Sequence, residues 1–155
     1  MSAWHQFLAA GELFCRQLDD ADGIDAADFR RCLHQNLAGL YAAATCLPYV
    51  EPATPKLLPE APGVGLSEEV VGLLDEDYYR SVEPSLSTLG QDSELVGSLV
   101  DDLSEIAADI SQALAARGRV PEADIQWQAR FDFLMHWGQH AVDALRVTHR
   151  WLLDD

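Results

Sequence analysis

The chain is short of positive charge. Ten of its 155 residues are Lys or Arg against twenty-six Asp and Glu, giving a formal net charge of −16. No basic cluster interrupts the acids. Such a field repels phosphate, so neither nucleic acid nor a membrane surface is an expected partner, whereas a basic protein is. Cysteine is scarce as well: Cys15, Cys32 and Cys46 cannot all pair, and none forms a CxxC. Each falls on or beside a helical apolar stripe, where a free thiol behaves as a small hydrophobe, and a reducing cytoplasm is the expected compartment. No apolar run approaches the roughly 20 residues needed to span a bilayer. The opening MSAWHQFLAAGELFCRQLDD has no basic leader and carries Glu12 within it, so it does not read as a signal peptide. Strand-like alternation, internal repeats, low-complexity tracts and glycine-rich phosphate loops are all absent, and no nucleophile-elbow glycines surround Ser98 or Ser104.

What is present is a helical period. Apolar residues make up 48% of the chain, enough for a single domain over residues 1–155 to bury a core without disulfides. Trp4, Phe7, Leu8, Gly11, Phe14, Cys15 and Leu18 follow the three-four spacing of one helix face, and the run Asp19 to Asp25, with Gly23, breaks it. A second helix over Ala26 to Cys46 carries Phe29, Leu33, Leu37, Leu40 and Ala44, and Pro48 stops it. Five of the seven prolines lie in residues 48–66, which read as an extended connection across the bundle with the freedom of a flap. Ser67 then caps one short helix through SEEVVGLLDEDYYRSV, closed by Pro84. A third long helix is expected from Asp92 or Ser93 to Arg117, with the stripe Leu95, Leu99, Leu103, Ile106, Ile110 and Leu114 and a left-handed cap at Gly118. The last begins at Pro121 and runs towards Leu153. The fold class is therefore all-α, a four-helix-bundle-like domain with a proline-rich loop and one short extra helix.

The unusual chemistry lies in the last helix. At about 100° per residue, Trp127, Phe131, Leu134, Gly138, Val142, Leu145 and Leu152 form one apolar side, and Phe133, Trp137, Ala144, Val147 and Trp151 a second. An arc that wide predicts a central helix, with Gly138 admitting a neighbour closely and His149 held inside the main stripe. Asp132, His136 and His140 stand one turn apart, so two imidazoles can meet one cation, or a carboxylate can hold an imidazole. HEXXH is not formed, because Trp137, Gly138 and Gln139 fill the gap. On the third helix Asp102 and Asp109 lie at the border of the apolar stripe with Glu105 beside them, and carboxylates placed there need partners.

Three readings of this cluster follow: an interhelical hydrogen-bonded tie, a divalent-metal site with His136, His140, Asp102 and Asp109 as ligands, or metal-free acid–base chemistry. Arg30, Arg130 and Arg146 are further candidates to neutralise the acids, Asn36 to satisfy a buried polar group, and Tyr41, Tyr78 and Tyr79 to line a pocket with Trp137.

The segments HWGQHAVDALRVTH, DDLSEIAAD at Asp101 to Asp109, and Leu40-Tyr41 through Leu47-Pro48 also carry a resemblance. Together they resemble the uncharacterised bacterial family known as domain of unknown function 5063, over Phe7 to His149. The chain departs from that pattern at Glu105, where the family has Asp, and at Ala107, where it has an aromatic residue. The resemblance implies a fold and points to the same polar residues, but it brings no assigned activity. The leading expectation is a cytoplasmic, non-enzymatic interaction module that needs no cofactor and whose acidic surface meets a basic protein. The rival is a metal-binding bundle, with hydrolysis as its chemistry, built on His136, His140, Asp102, Glu105 and Asp109.

Overall fold

The computed structural model describes residues 1–54, 56–59, 64–74, 77–81 and 95–153. Its elements are α1 (Ala3–Asp19), α2 (Ala26–Thr45), α3 (Glu68–Leu73), β1 (Tyr78–Ser81), β2 (Leu95–Ser98), α4 (Leu99–Ala116), α5 (Glu122–Asp132), a π turn (Phe133–Trp137) and α6 (Gly138–Trp151). The last three are one continuous helical rod. Around the bundle the order is α1, α2, α6, α4, each packed on the next and α4 again on α1. The predicted all-α architecture is therefore present.

The stripes read from α1 and α2 are the buried ones: Trp4, Phe7, Phe14 and Leu18 from the first, Phe29, Leu33, Leu37 and Leu40 from the second. Leu99, Leu103, Ile106 and Ile110 complete the third wall. The rings of Phe7 and Trp137 meet at 6.5 Å across the centre. Ser2, Asp25, Ser67 and Ser98 cap α1 to α4 by accepting backbone N–H bonds, and Gly23 and Gly118 take the positive φ that ends a helix or turns a loop. The proline-rich connection is pinned in its described parts. Asp124 accepts from the amides of Ala53 and Thr54 and from the Thr54 hydroxyl, while Gln112 donates to the carbonyls of Leu58 and Pro59.

Two elements depart from expectation. The segment after α3 does not stay helical: β1 pairs antiparallel with β2, Tyr78 facing Ser98 and Tyr79 facing Gly97. Leu95 is thus a strand residue, and α4 starts at Leu99 rather than at Asp92 or Ser93, which, like Pro84, lie outside the described residues. Four-residue strands are too short for alternation to register against helix-compatible neighbours. Asp77 joins the ribbon to α4, since its Oδ1 accepts from the Ser98 hydroxyl at 2.7 Å and the Val100 amide at 2.9 Å.

The second departure is the phase of the last helix. Its buried positions Ile125, Ala129, Phe133, Trp137 and Ala141 are each four apart. In a regular α-helix four such steps drift by about 160°; a π turn takes up an extra residue and brings them back towards one face. The side with Phe133, Trp137, Ala144, Val147 and Trp151 is the core side. The other is buried only in part: Gly138 is enclosed and Leu145 packs against the core, but Phe131 is 45%, Leu134 56% and Val142 42% exposed. His149 is exposed too, beside the His34 ring at 5.9 Å, rather than interior. Cys32 and Cys46 also face outward, and only Cys15 is partly buried.

Gly138 has a local role instead of admitting another helix. A Cβ there would run into the Phe133 carbonyl oxygen and sit 3.2 Å from its ring, both within the π turn. Gly138→Ala is expected to cost about 1–3 kcal/mol in chemical denaturation, as overpacking does. Gly39→Ala, at an α2 position with open space around it, should gain roughly 0.5–1 kcal/mol.

Candidate functional site

Asp102 projects from the first turn of α4 and is only 5% exposed. A carboxylate so placed must have its oxygens engaged. Oδ1 meets Nδ1 of His140 at 2.8 Å, and the Tyr79 hydroxyl donates to Oδ2. Tyr79 reaches it because its cross-strand neighbour is Gly97, where any Cβ would collide with the ring. The Arg146 guanidinium lies over that ring, 5.7 Å from its centre, and donates to the Arg80 carbonyl at 2.7 Å. Burial pushes the Asp102 carboxyl up, opposed by the two donors, and burial followed by the Asp102 bond pushes the Tyr79 phenol up.

Two turns along α4, Asp109 holds Nδ1 of His136 at 2.8 Å. An ionised carboxylate only accepts, so Nδ1 carries the proton in both imidazoles and Nε2 is left facing away from its carboxylate. The His136 and His140 rings stand edge to face, 5.1 Å apart. His136 Nε2 lies 3.7 Å from Glu105 Oε2, beyond hydrogen-bond reach. The Asp109 bond raises the His136 pKa despite some burial, with Glu105 and Asp132 acting in the same direction.

Asp132, on the last turn of α5, completes the group. Its carboxyl is pushed up to about 6, first by burial and then by Asp109. The Gln128 amide donates to it at 2.6 Å, while Gln128 Oε1 is buried without a hydrogen-bond partner. All six polar residues singled out by spacing thus meet between α4 and the last helix. Among the described residues, however, no three His, Cys, Asp or Glu side chains form a ready-made metal cage.

The arginines considered as counter-ions make other contacts. Arg30 donates to the Leu73 carbonyl and lies over Trp151, Arg130 donates to the Leu47 carbonyl, and Arg146 pairs with Asp143 at 3.5 Å. Asn36 donates to Gln17 at 2.6 Å. Tyr41 packs on Phe133, whereas Tyr78 is exposed and borders a cleft of about 820 Å³ with Tyr79, Arg80, Val96 and Arg146. Spacing missed Tyr79 as a partner of Asp102, because its segment reads as helix. It also missed that Phe131, Leu134 and Met135 (71% exposed) would face solvent together, with Trp127 stacked on Phe131 at 5.3 Å.

Two outcomes follow from these contacts. Tyr79→Phe leaves Asp102 Oδ2 without its phenol donor and should cost about 1–3 kcal/mol in urea unfolding. Asp132 binds a proton in the folded state up to about pH 6, whereas the unfolded chain releases it near pH 4. Its contribution is therefore full below pH 4 and lost as pH rises through 6. Asp132→Asn should raise the Tm at pH 7.5 by about 2–4 °C, the shift that roughly 1 kcal/mol produces at this size, and leave it unchanged at pH 4. An equal shift at both pH values would contradict the assignment.

Comparison with known proteins adds the family and the fold. Protein BF1032 from Bacteroides fragilis, known from a crystal structure, superposes with a TM-score of 0.70 over 95% of this chain and 90% of its own, at 21% identity. That likeness is one of fold. No curated protein matches the chain. The profile described as Domain of unknown function (DUF5063) matches residues 2–154, the whole length over which the polar cluster, the ribbon and the four long helical walls are built. The chain belongs to the DUF5063 family.

Proposed function

We propose that the protein is a non-enzymatic binding module whose docking face is the apolar shelf of the last helix, and that its occupant is a basic amphipathic helix of a partner protein. The observation that carries this reading is the exposure of Phe131, Leu134 and Met135 side by side on one rod. Large apolar groups clustered at a surface lose hydration free energy that only a partner recovers. Trp127 extends the shelf by stacking on Phe131. Val142, 42% exposed, continues it beyond the π turn.

Charge selects the occupant. On the α4 side the neighbouring groups are His136, Glu105, Asp109 and Asp132, and Glu105 keeps about half its side chain in solvent. The whole chain carries −16. An apolar face flanked by Lys and Arg would fill the shelf and meet the acids at its edge, the arrangement by which helices dock in grooves. The acids would speed encounter and choose the partner's sign, and the shelf would supply most of the affinity.

The probe is a synthetic amphipathic helix with leucines on one face and lysines on the other, compared with a scrambled peptide of equal charge. Saturable binding at least about tenfold tighter than the scramble, a difference of roughly 1.4 kcal/mol, is expected. Backbone amide shifts should centre on Phe131 to Met135, and Phe131→Ser/Met135→Ser should abolish the preference. Equal binding of both peptides would reduce the effect to bulk charge and overturn the proposal. So would a self-associating chain that Met135→Ser renders monomeric, because a second copy would then cover the shelf.

A further inference from the structure

The chain has only ten Lys and Arg against twenty-six Asp and Glu, yet three of the ten meet at one cleft. Arg80 of β1 and Arg146 and Arg150 of α6 line the space of about 820 Å³ beside the ribbon, and no Asp or Glu among the described residues does. His149 and Arg150 stand in the last turn of α6, where basic groups offset the terminal carbonyls. Arg80 lies on a strand and Arg146 a turn earlier on the helix, so those carbonyls account for neither. Arg146 is held in place, donating to the Arg80 carbonyl at 2.7 Å and lying over the Tyr79 ring. Its ion-pair partner Asp143, at 3.5 Å, keeps 14% of its side chain in solvent against 44% for Arg146, so the cation is the outward member. Apolar surface stands beside these cations: Tyr78 is 69% and Val96 66% exposed, with Val147 buried behind them.

We infer that this cleft binds a small aromatic carboxylate, its oxygens taken by guanidinium N–H groups and its flat body laid against Tyr78 and Val96. A guanidinium presents five N–H donors in a rigid fork that matches a carboxylate. Arg80 and Arg150 also have contacts within the protein; five donors let one guanidinium keep an internal partner and still hold a ligand oxygen. Tyr79 serves as wall and not as donor, because its hydroxyl is engaged by Asp102. Sites for small molecules share this make-up, about 300–1,000 Å³ with apolar walls and a few placed polar groups. Charge and surface together select the class. A bare inorganic anion would leave the tyrosine and valine surface wet, and a neutral aromatic would leave the guanidinium forks unused. The net charge of −16 does not reverse the sign of the cleft, since at 0.15 M salt charges more than about 8 Å away are largely screened. Phe131, Leu134 and Met135 line no part of this cleft, so it is separate from the docking shelf.

The test titrates the full chain, followed by backbone amide NMR and calorimetry, with naphthoate, its uncharged counterpart naphthamide, and inorganic phosphate. Saturable binding of one equivalent of naphthoate is expected, with amide shifts centred on Tyr78 to Arg80 and on Arg146 to Arg150. Naphthamide should bind at least about tenfold more weakly, the difference that a charge-assisted hydrogen bond makes, and phosphate should produce no saturating shift there. Arg80→Gln combined with Arg150→Gln should lower naphthoate affinity about tenfold and leave that of naphthamide unchanged, whereas Tyr78→Ala should weaken both. Because naphthoate and naphthamide are compared on the unaltered chain, that readout stands even if a variant folds poorly. No saturable binding of naphthoate, or equal affinity for the two aromatics, would overturn the inference. Shifts centred on Phe131 to Met135 would do the same, because the ring would then have settled on the shelf. So would phosphate that saturates the same amides as tightly as naphthoate, the mark of a site for anions at large.

Discussion

The structure turns on one nearly buried carboxylate. Asp102 sits on the wall of α4 that faces the core, where an unmatched charge costs several kcal/mol. Its two oxygens are satisfied from two different elements, Tyr79 on β1 and His140 on α6. Both donors must arrive for either helix face to close. The contact therefore fixes the rotation of α6 against α4 and the seat of the ribbon above them. Asp77 reinforces that seat from the other end by binding the Ser98 hydroxyl and the Val100 amide, so that the ribbon and the start of α4 are one piece.

The π turn makes this geometry compatible with a well-filled core. It lets Ile125, Ala129, Phe133, Trp137 and Ala141 share a face despite four-residue spacing, and it does so where Gly138 has no Cβ to obstruct the Phe133 carbonyl. The widening has two further results. His136 leaves the rod within the π turn and His140 just after it, so both rings reach α4. The residues on the opposite phase, Phe131, Leu134 and Met135, are turned to solvent. One irregularity thus shapes both the histidine pair and the apolar shelf. π turns are frequent at functional sites for this reason: they exchange regular hydrogen bonding for a change in where side chains point.

The polar cluster grades from inside to outside. Asp102 is enclosed, Asp132 and Asp109 are half-covered, and Glu105 and His136 are open. Burial raises the proton affinity of the inner carboxylates, while the Asp109 bond raises that of His136. The bonds through Nδ1 confine each ring to one tautomer. With Glu105 about half exposed, the cluster gives the adjoining surface an acidic border. No helix among the described residues is long and apolar enough to cross a membrane.

Much of this was legible in the residues. The stripes of α1 and α2, the wall Leu99 to Ile110, the caps at Ser67 and Gly118 and the all-α class follow from apolar spacing and terminal chemistry, which act within one or two turns of a chain. The meeting of Asp102, Glu105 and Asp109 with His136 and His140 was legible too, because carboxylates at the border of a core stripe must find donors. What pairs with what was not. Tyr79 reaches Asp102 only through a four-residue strand, a length over which helix and strand periods do not separate. The true core side of the last helix depends on a π turn, and no local preference announces it. Packing of Phe133 and Trp137 against α1 and α2, from residues far away in the chain, determines that phase. Sequence by itself determined which side chains need partners, since that is a property of each side chain and its solvation. Tertiary structure decided which partners they have and which apolar side faces water, because those depend on distances between segments that only the folded chain brings together.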